Sequence, residues 1–147
     1  MLSDAPRLLG TDGQKMSKSR NNAIAIGTTE DETARLIRAA KTDSGRHITY
    51  DPIGRPEVSN LVLLAALCLG REPRDVAEEI GGGGAATLKR VLTEAVNERL
   101  RPVRRLRSTL IQDRAGLHEV LMAGTETAKA TAAETLKNVR RLMHTVY

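Results

Sequence analysis

Apolar residues recur at helical spacing along most of this chain. In the first such segment, Ala34, Ile37 and Ala40 lie about one helical turn apart, which predicts an amphipathic helix. Thr28 or Thr29 is the expected N-cap, because a threonine hydroxyl can accept a hydrogen bond from the first helical turn. The acidic residues that follow the threonines also support a helix start here, because negative charge is stabilising at the positive end of the helix dipole.

The middle of the chain predicts two more helices. Residues 58–69 are apolar on nearly every side, which predicts a central buried helix that ends at Gly70. Residues 73–80 predict a short helix, since they begin with a proline, which suits a first helical turn. Four consecutive glycines follow and predict a hinge to the next helix. Ser59 and Asn60 are expected to cap the buried helix where the chain enters it.

The longest apolar pattern lies in the C-terminal part of the chain. A single helical stripe covers residues 88–110, and Pro102 inside it is expected to kink the helix. A shorter helix is predicted around residues 117–121, ended by Gly124, and a last helix over residues 128–143. These elements predict a mainly α fold, an irregular helical bundle behind a polar loop.

The first 27 residues show no sustained period. Residues 10–22 are rich in Gly, Ser, Asn and Lys, which predicts an exposed, mobile loop. Residues 23–26 are compatible with either a short strand or a turn of helix. We therefore predict a loop segment over residues 1–27 and a helical domain over residues 28–147.

The composition restricts the class of protein. Hydrophobic residues make up 40% of the chain, but there are only two Tyr and no Phe or Trp, so the core must be aliphatic. Cys68 is the single cysteine and can form no internal disulfide. The longest apolar run is too short to span a bilayer and no signal-peptide pattern begins the chain. We therefore expect a cytoplasmic protein without a membrane partner.

Positive charge is concentrated in the C-terminal part. The chain has a net charge of +5, and residues 85–147 carry twelve basic and six acidic side chains. Four arginines of the long predicted helix project roughly opposite its apolar stripe: Arg90, Arg101, Arg104 and Arg105. An exposed row of guanidiniums suits the phosphates of a nucleic acid. The alternative is a solvated face of an arginine-rich protein.

The loop contains the most informative segment, Lys-Met-Ser-Lys-Ser at residues 15–19. Two lysines three residues apart can close around a triphosphate and neutralise the charge that develops as pyrophosphate leaves. By composition alone, such a tract near a terminus is more often a solvated tail. The pentapeptide is, however, the KMSKS signature of class I aminoacyl-tRNA synthetases, and residues 10–14 resemble the lead-in of that class.

The sequence after the loop is similar to that of tryptophanyl-tRNA synthetases. The segments that resemble this family are residues 42–44, 48–52, 56–61, 88–89 and 100–103. Bacterial tyrosyl enzymes usually alter the pentapeptide and lack the Tyr-Asp…Pro…Ser-Asn-Leu run. The resemblance covers essentially all of the chain and is strongest up to about Leu69.

The resemblance implies functions for the loop residues. Lys15 and Lys18 would bind the ATP phosphates and act in catalysis, Ser17 and Ser19 would support them, and Met16 would lie near the adenine. ATP, with Mg²⁺ in the full enzyme, is the implied cofactor, and tRNA, in particular tRNA-Trp, is the implied partner. No protein-bound metal is predicted, because the histidines and the cysteine lack metal-ligand spacing.

The family's HIGH-type motif and amino-acid pocket do not occur in this sequence. The resemblance therefore implies the C-terminal part of a tryptophan–tRNA ligase: the KMSKS loop from the end of a Rossmann-like catalytic domain, followed by an anticodon-binding helical bundle. The full enzyme uses ATP to activate tryptophan and transfers it to tRNA. This chain by itself is expected to be inactive, and to meet tryptophan only with the missing half.

Two other functions stay open at this point. The chain could be a non-catalytic tRNA-binding or regulatory paralogue, or a helical protein-interaction module with a vestigial loop. Members of the family are homodimers, but their subunit contact lies largely in the half that is missing here.

Overall fold

The computed structural model describes residues 8–145, which form five α-helices after an irregular N-terminal segment. The helices are α1 Glu30–Ala39, α2 Pro56–Leu69, α3 Pro73–Ile80, α4 Gly84–Gln112 and α5 Arg114–Leu142. No strand forms within residues 8–145, although Leu9 and Lys15 make one isolated antiparallel bridge. The predicted mainly α fold is confirmed.

The chain divides into two compact units after Arg104. The first unit contains the loop, α1 to α3 and most of α4, and the second contains the end of α4 and α5. The domain boundary predicted after residue 27 stays a prediction. Within the first unit, a hydrogen bond joins the two sides of that boundary, since the amide of Lys41 donates to the carbonyl of Thr11 at 2.7 Å.

The core of the first unit is aliphatic, as the composition predicts. The large side chains that are fully buried come from α1, α2, α3, α4 and the segment before α2: Ile37, Ile48, Val58, Val62, Val76, Leu88 and Leu92. Burial of each such side chain contributes about 1.5–3 kcal/mol to stability. This packing holds the helices in place beneath the loop.

The predicted ends of the first three helices are largely confirmed. The hydroxyl of Thr29 accepts a hydrogen bond from the amide of Glu32, so Thr29 is the N-cap of α1. Gly70 ends α2 with a φ of 67°, a conformation that glycine adopts without steric cost. Pro73 begins α3 as expected.

The prediction that Ser59 and Asn60 cap α2 was wrong. The helix begins at Pro56, before the apolar pattern does, so both residues lie inside it and are buried. The hydroxyl of Ser59 accepts from the amide of Asp51 at 2.8 Å. The side chain of Asn60 accepts from the amide of Leu9 at 2.8 Å and donates to its carbonyl at 3.2 Å. These side chains therefore bind the preceding segments to α2.

The four-glycine run forms a packed turn between α3 and α4. Gly81–Gly83 is one turn of 3-10 helix, and Gly81 and Gly84 are buried with φ values of 45° and 74°. The carbonyl of Gly81 also accepts a hydrogen bond from the amide of Ile48 at 2.8 Å. The run is therefore tied to the loop before α2, which the sequence pattern did not predict.

The two helices predicted after residue 112 are one continuous helix, α5, which passes through Gly124. A glycine inside a helix costs only about 1 kcal/mol, so good helix formers on both sides can carry the helix across it. The break lies instead at Asp113, whose carboxylate caps α5 by accepting from the amide of Gly116 at 2.9 Å. Helix α4 likewise continues through Pro102. Within residues 8–145, no helix is long and apolar enough to cross a membrane.

Candidate functional site

The segment that carries the pentapeptide is folded around a tight turn. Leu9 and Lys15 pair as an antiparallel bridge, and the amide of Gly10 donates to the carbonyl of Gln14 at 2.8 Å. The amide of Gly13 closes the turn on the carbonyl of Gly10 at 3.0 Å, and Gly13 has a φ of 78°. The turn thus requires glycine at position 13 and brings the pentapeptide back beside the incoming chain.

Asn22 fills the inside of this loop and is only 2% exposed. Its side-chain NH₂ group donates to the carboxylate of Asp12 at 2.8 Å and to the carbonyl of Lys15 at 3.1 Å. Its side-chain oxygen accepts from the amide of Ser17 at 2.8 Å. A Cβ atom on Gly10 would overlap this side chain, so glycine at position 10 leaves the room that Asn22 occupies.

Asp12 fixes the start of the loop. Its carboxylate accepts from the amide of Gln14 at 2.9 Å as well as from Asn22. Both hydrogen bonds favour the charged form and hold the pKa of Asp12 below its usual value, and the bond from the Gln14 amide contributes most. The carboxylate is therefore ionised at neutral pH and available as an acceptor.

The turn rests on the helices of the first unit. The ammonium of Lys41, just after α1, lies 2.8 Å from the carboxylate of Glu57 in the first turn of α2. A Cβ atom on Gly13 would lie 2.7 Å from Cγ of Glu57, so the turn lies directly against this side chain. The hydrogen bond of the Lys41 side chain holds the pKa of Glu57 below its usual value. Together these contacts attach the loop to α1 and α2.

The predicted site residues lie on the outer side of this loop. Lys15, Met16, Lys18 and Ser19 are exposed and Ser17 is half-buried. The two serine hydroxyls lie 3.2 Å apart and share a hydrogen bond. Neither lysine side chain has a hydrogen bond or an ion pair with any residue between 8 and 145. The structure thus places two unpaired ammonium groups on a backbone that is held by internal hydrogen bonds.

Met16 also lines an apolar cavity of about 290 Å³ in the first unit. The other lining side chains come from the loop, α1, α2 and α4, and include Ile24, Ile37, Leu64, Cys68 and Leu100. Burial raises the pKa of the Cys68 thiol, which keeps it protonated at neutral pH. The expected position of Met16 near an adenine stays a prediction.

The prediction of an exposed row of four arginines was wrong for Arg104. Its side chain is only 15% exposed. The guanidinium donates to the carbonyl of Thr28 at 2.8 Å, to the side-chain oxygen of Asn97 at 2.9 Å and to the hydroxyl of Thr33 at 2.9 Å. Arg104 therefore joins α4 to the start of α1. The helical spacing could not show this, because two of the three acceptors, those of Thr28 and Thr33, come from another part of the chain.

The other three arginines of the predicted row, Arg90, Arg101 and Arg105, are exposed. Arg90 pairs with Glu94 at 3.1 Å, and Arg101 pairs with Glu98 at 2.8 Å. Arg105 has no ion pair within the described part of the chain. A function of these three residues in tRNA binding stays a prediction.

Sequence reasoning also missed the importance of Arg55, just before α2. Its guanidinium makes two hydrogen bonds to the carboxylate of Asp43, at 2.8 and 2.6 Å. It also donates to the carbonyl of His47 at 2.6 Å and to the hydroxyl of Thr49 at 3.0 Å. Arg55 therefore orders the segment between α1 and α2. Its contacts span loop positions that no periodic pattern connects.

A metal centre made of protein side chains is not apparent. Residues 8–145 contain no group of three or more His, Cys, Asp or Glu side chains that could hold a metal ion. The one carboxylate inside the loop, that of Asp12, already accepts two hydrogen bonds.

Comparison with known families identifies the class. Residues 4–101 match the family model of the class I tRNA synthetases for tryptophan and tyrosine (W and Y). This match covers more than half of the chain, so the chain belongs to that family. The KMSKS pentapeptide lies inside the matched region.

Individual relatives point to the tryptophan members. A tryptophan–tRNA ligase of Prochlorococcus marinus is 31% identical over 90% of this chain and 40% of its own length. Tryptophan–tRNA ligase 1 of Streptomyces coelicolor is 37% identical over 86% of this chain and 38% of its own length. The chain thus spans about 40% of the length of the curated relatives it matches.

A solved structure agrees with these relatives. The tryptophanyl-tRNA synthetase of Campylobacter jejuni, complexed with ADP and tryptophan, matches with a TM-score of 0.72 and 26% identity. The match covers 97% of this chain and 44% of that one. The predicted resemblance to the C-terminal part of tryptophanyl-tRNA synthetases is confirmed.

Proposed function

We propose that this chain supplies the ATP-phosphate loop and the tRNA-docking helices of a tryptophan–tRNA ligase. In such an enzyme, ATP activates tryptophan as an aminoacyl-adenylate, and the amino acid is then transferred to tRNA. One observation carries the proposal: the ammonium groups of Lys15 and Lys18 are exposed and unpaired among the described residues, on a loop whose backbone is bonded internally.

The loop suits the phosphates of ATP. Two free ammonium groups neutralise negative charge, and the hydroxyls of Ser17 and Ser19 can donate to phosphate oxygens. Charge that builds up as pyrophosphate leaves would be stabilised by groups already in place. The Campylobacter jejuni relative was crystallised with ADP and tryptophan, and we propose a nucleotide with three phosphates for the equivalent loop of this chain.

Mg²⁺ is expected to accompany ATP in a complete enzyme, where it would neutralise phosphate charge. The residues around the loop do not fit a protein-held Mg²⁺, since Asp12 is already engaged with Gln14 and Asn22. Mg²⁺ is often held mainly by substrate phosphates and water. We therefore assign no protein ligand to it and no reaction step that passes through it.

We propose that tRNA, in particular tRNA-Trp, docks on the basic C-terminal part. Residues 85–147 carry twelve basic and six acidic side chains. Arg90, Arg101 and Arg105 are exposed on α4 and suit contacts to backbone phosphates. Arg104 is left out of this surface, because its donors are used inside the chain. Tryptophan is proposed as a ligand only of an enzyme that also contains the front half of the relatives.

Inorganic tripolyphosphate tests the loop directly. We expect the chain to bind it, with amide chemical-shift changes around residues 15–19, and the double change Lys15→Ala, Lys18→Ala to weaken binding about tenfold or more. The thermal unfolding midpoint should stay the same, because both side chains are exposed. Lys137→Ala, on the exposed surface of α5, is the matched control. Equal affinity of the double variant and the parent would contradict the proposal.

Binding of tRNA at several salt concentrations tests the helices. The logarithm of the binding constant falls linearly with the logarithm of the salt concentration, and its slope counts the phosphate contacts. Changing one arginine that contacts a phosphate to alanine should therefore make this slope shallower by about one. We expect this for Arg90, Arg101 and Arg105, and not for Arg71, which lies between α2 and α3. Negligible, salt-independent binding would instead favour a protein-interaction module.

A further inference from the structure

We infer that Asn22 is the positioning residue of the phosphate loop and that its side-chain amide fixes where Lys15 and Lys18 present their charges. The inference rests on the proposed function of the loop. It adds a residue that lies outside the pentapeptide and that does not itself touch phosphate.

The contacts of Asn22 span the whole loop. The side-chain NH₂ group of Asn22 donates to the carboxylate of Asp12, before the pentapeptide, and to the carbonyl of Lys15 within it. The side-chain oxygen of Asn22 accepts from the amide of Ser17, the residue immediately before Lys18. The backbone is therefore held at the first lysine and directly before the second. Because neither ammonium has a partner of its own among the described residues, this backbone sets the direction of both side chains.

Only an amide side chain of this size can make all these hydrogen bonds. Aspartate has the same shape but no donor, and an aliphatic residue can neither donate nor accept. Asn21, the adjacent residue, provides a contrast: it is exposed and has a φ of 50°. Asn22 is 2% exposed, so its hydrogen bonds are shielded from competition with water.

Gly10 offers an independent way to disturb the same contacts. A Cβ atom on Gly10 would overlap the side-chain amide of Asn22. The φ of Gly10 is not in the left-handed region, so alanine there is not strained by its backbone conformation. Gly10→Ala therefore acts on Asn22 through space and leaves the amide, Asp12 and both lysines chemically unchanged.

The experiment measures how tightly inorganic tripolyphosphate binds to the full 147-residue chain. Changes in amide chemical shifts during titration report the binding. We expect Asn22→Ala and Gly10→Ala each to weaken binding about fivefold, the effect of losing one or two hydrogen bonds that fix the loop. The variant that combines Asn22→Ala with Gly10→Ala should bind about as tightly as whichever single variant has the lower affinity, since both changes disrupt the same contacts. Asn21→Gly, which keeps the φ of 50° without strain, is the matched control and should bind like the parent.

An exchange of side chains separates positioning from general stability. Asp12→Asn combined with Asn22→Asp has the same net charge as the parent and as Asn22→Ala. It can re-form the bond between positions 12 and 22 and the bond from Ser17, but not the bond to the Lys15 carbonyl. We expect its affinity to lie between those of Asn22→Ala and the parent. Thermal unfolding of all three proteins shows whether affinity simply follows stability, since loss of buried hydrogen bonds lowers stability as well.

The possible results separate the inference from the proposed function. If the parent chain fails to bind tripolyphosphate, the phosphate loop and the positioning residue are both overturned. If the parent binds and Asn22→Ala binds equally well, the positioning inference alone is overturned. A loss of affinity that follows the unfolding midpoint, with no recovery in the exchanged pair, would also overturn it, because Asn22 would then act only on stability.

Discussion

The loop and the long helix α4 both carry positive charge, but they use it differently. Lys15 and Lys18 have exposed ammonium groups without an acceptor in the described chain, whereas Arg104 donates to three oxygen atoms of the protein. A count of basic residues treats these cations as equal. The comparison shows that a cation is available for a ligand only when the fold leaves its donors unused.

The chemistry of the two side chains fits this division. A guanidinium offers five donors in a fixed plane and can join several fixed acceptors at once, as Arg104 and Arg55 do. An ammonium on a flexible stem is a point charge, which suits phosphates that arrive from solution. Arg104 and Arg55 thus order the helices and the segment between them, while Lys15 and Lys18 have no partner within residues 8–145.

Removal of Arg104 should give the largest effect on stability. We expect Arg104→Met to lower the free energy of unfolding by about 2 kcal/mol, because it leaves the buried hydroxyl of Thr33 and the carbonyl of Thr28 without this donor. Arg105→Met is the matched control, since Arg105 is exposed and unpaired within residues 8–145, and should change the value by less than about 0.5 kcal/mol. Urea unfolding measures both. Equal effects of the two changes would contradict the distinction between bonded and free arginines.

Lowering the pH should weaken the ion pair between Arg55 and Asp43, because the Asp43 carboxylate becomes protonated while the guanidinium stays charged. The Arg55 guanidinium holds the pKa of Asp43 below its usual value of 3.8. A carboxyl whose pKa is lower in the folded state stabilises the fold above its unfolded pKa and loses this effect as the pH falls through the folded value.

We therefore expect the unfolding midpoint to fall as the pH is lowered below about 4. Asp43→Asn should start from a lower midpoint at pH 7 and show a smaller change with pH. Some dependence should remain, because the pKa of Glu57 is also lowered, by Lys41. Thermal unfolding across this range checks the expectation. Parallel profiles for the parent and Asp43→Asn would show that the Arg55 pair does not contribute.

The smallest effect is expected at Arg90. Arg90 and Glu94 are 64% and 65% exposed, so water and salt screen their ion pair. Arg90→Ala should change the free energy of unfolding by less than about 0.5 kcal/mol. A loss above 1 kcal/mol in urea unfolding would place Arg90 with Arg104, among the arginines that the fold requires.

The helices of the first unit could be predicted because their signals are local. A threonine cap, an acidic first turn, a proline at the start and a glycine at the end each act within a few residues. The same reasoning failed at Gly124, where a weak local break is outweighed by good helix formers on either side. It also missed Asp113, since a single capping residue leaves little trace in an apolar pattern.

The sequence by itself determined the aliphatic helical body, the lysine loop and, through the pentapeptide and the segments after it, the family. These depend on side-chain type and short spacing, which the chain carries without being folded. Only the tertiary structure decided that Asn22 organises the loop, that Asn60 binds the segment before it, and that Arg104 faces inward. Each of these contacts needs a donor and an acceptor that folding brings together, across up to 76 positions in the case of Arg104 and Thr28. Hydrogen bonds act over about 3 Å, so the distant partners of Asn60 and Arg104 meet only once the aliphatic core has packed, whereas those of Asn22 meet when the loop itself turns back.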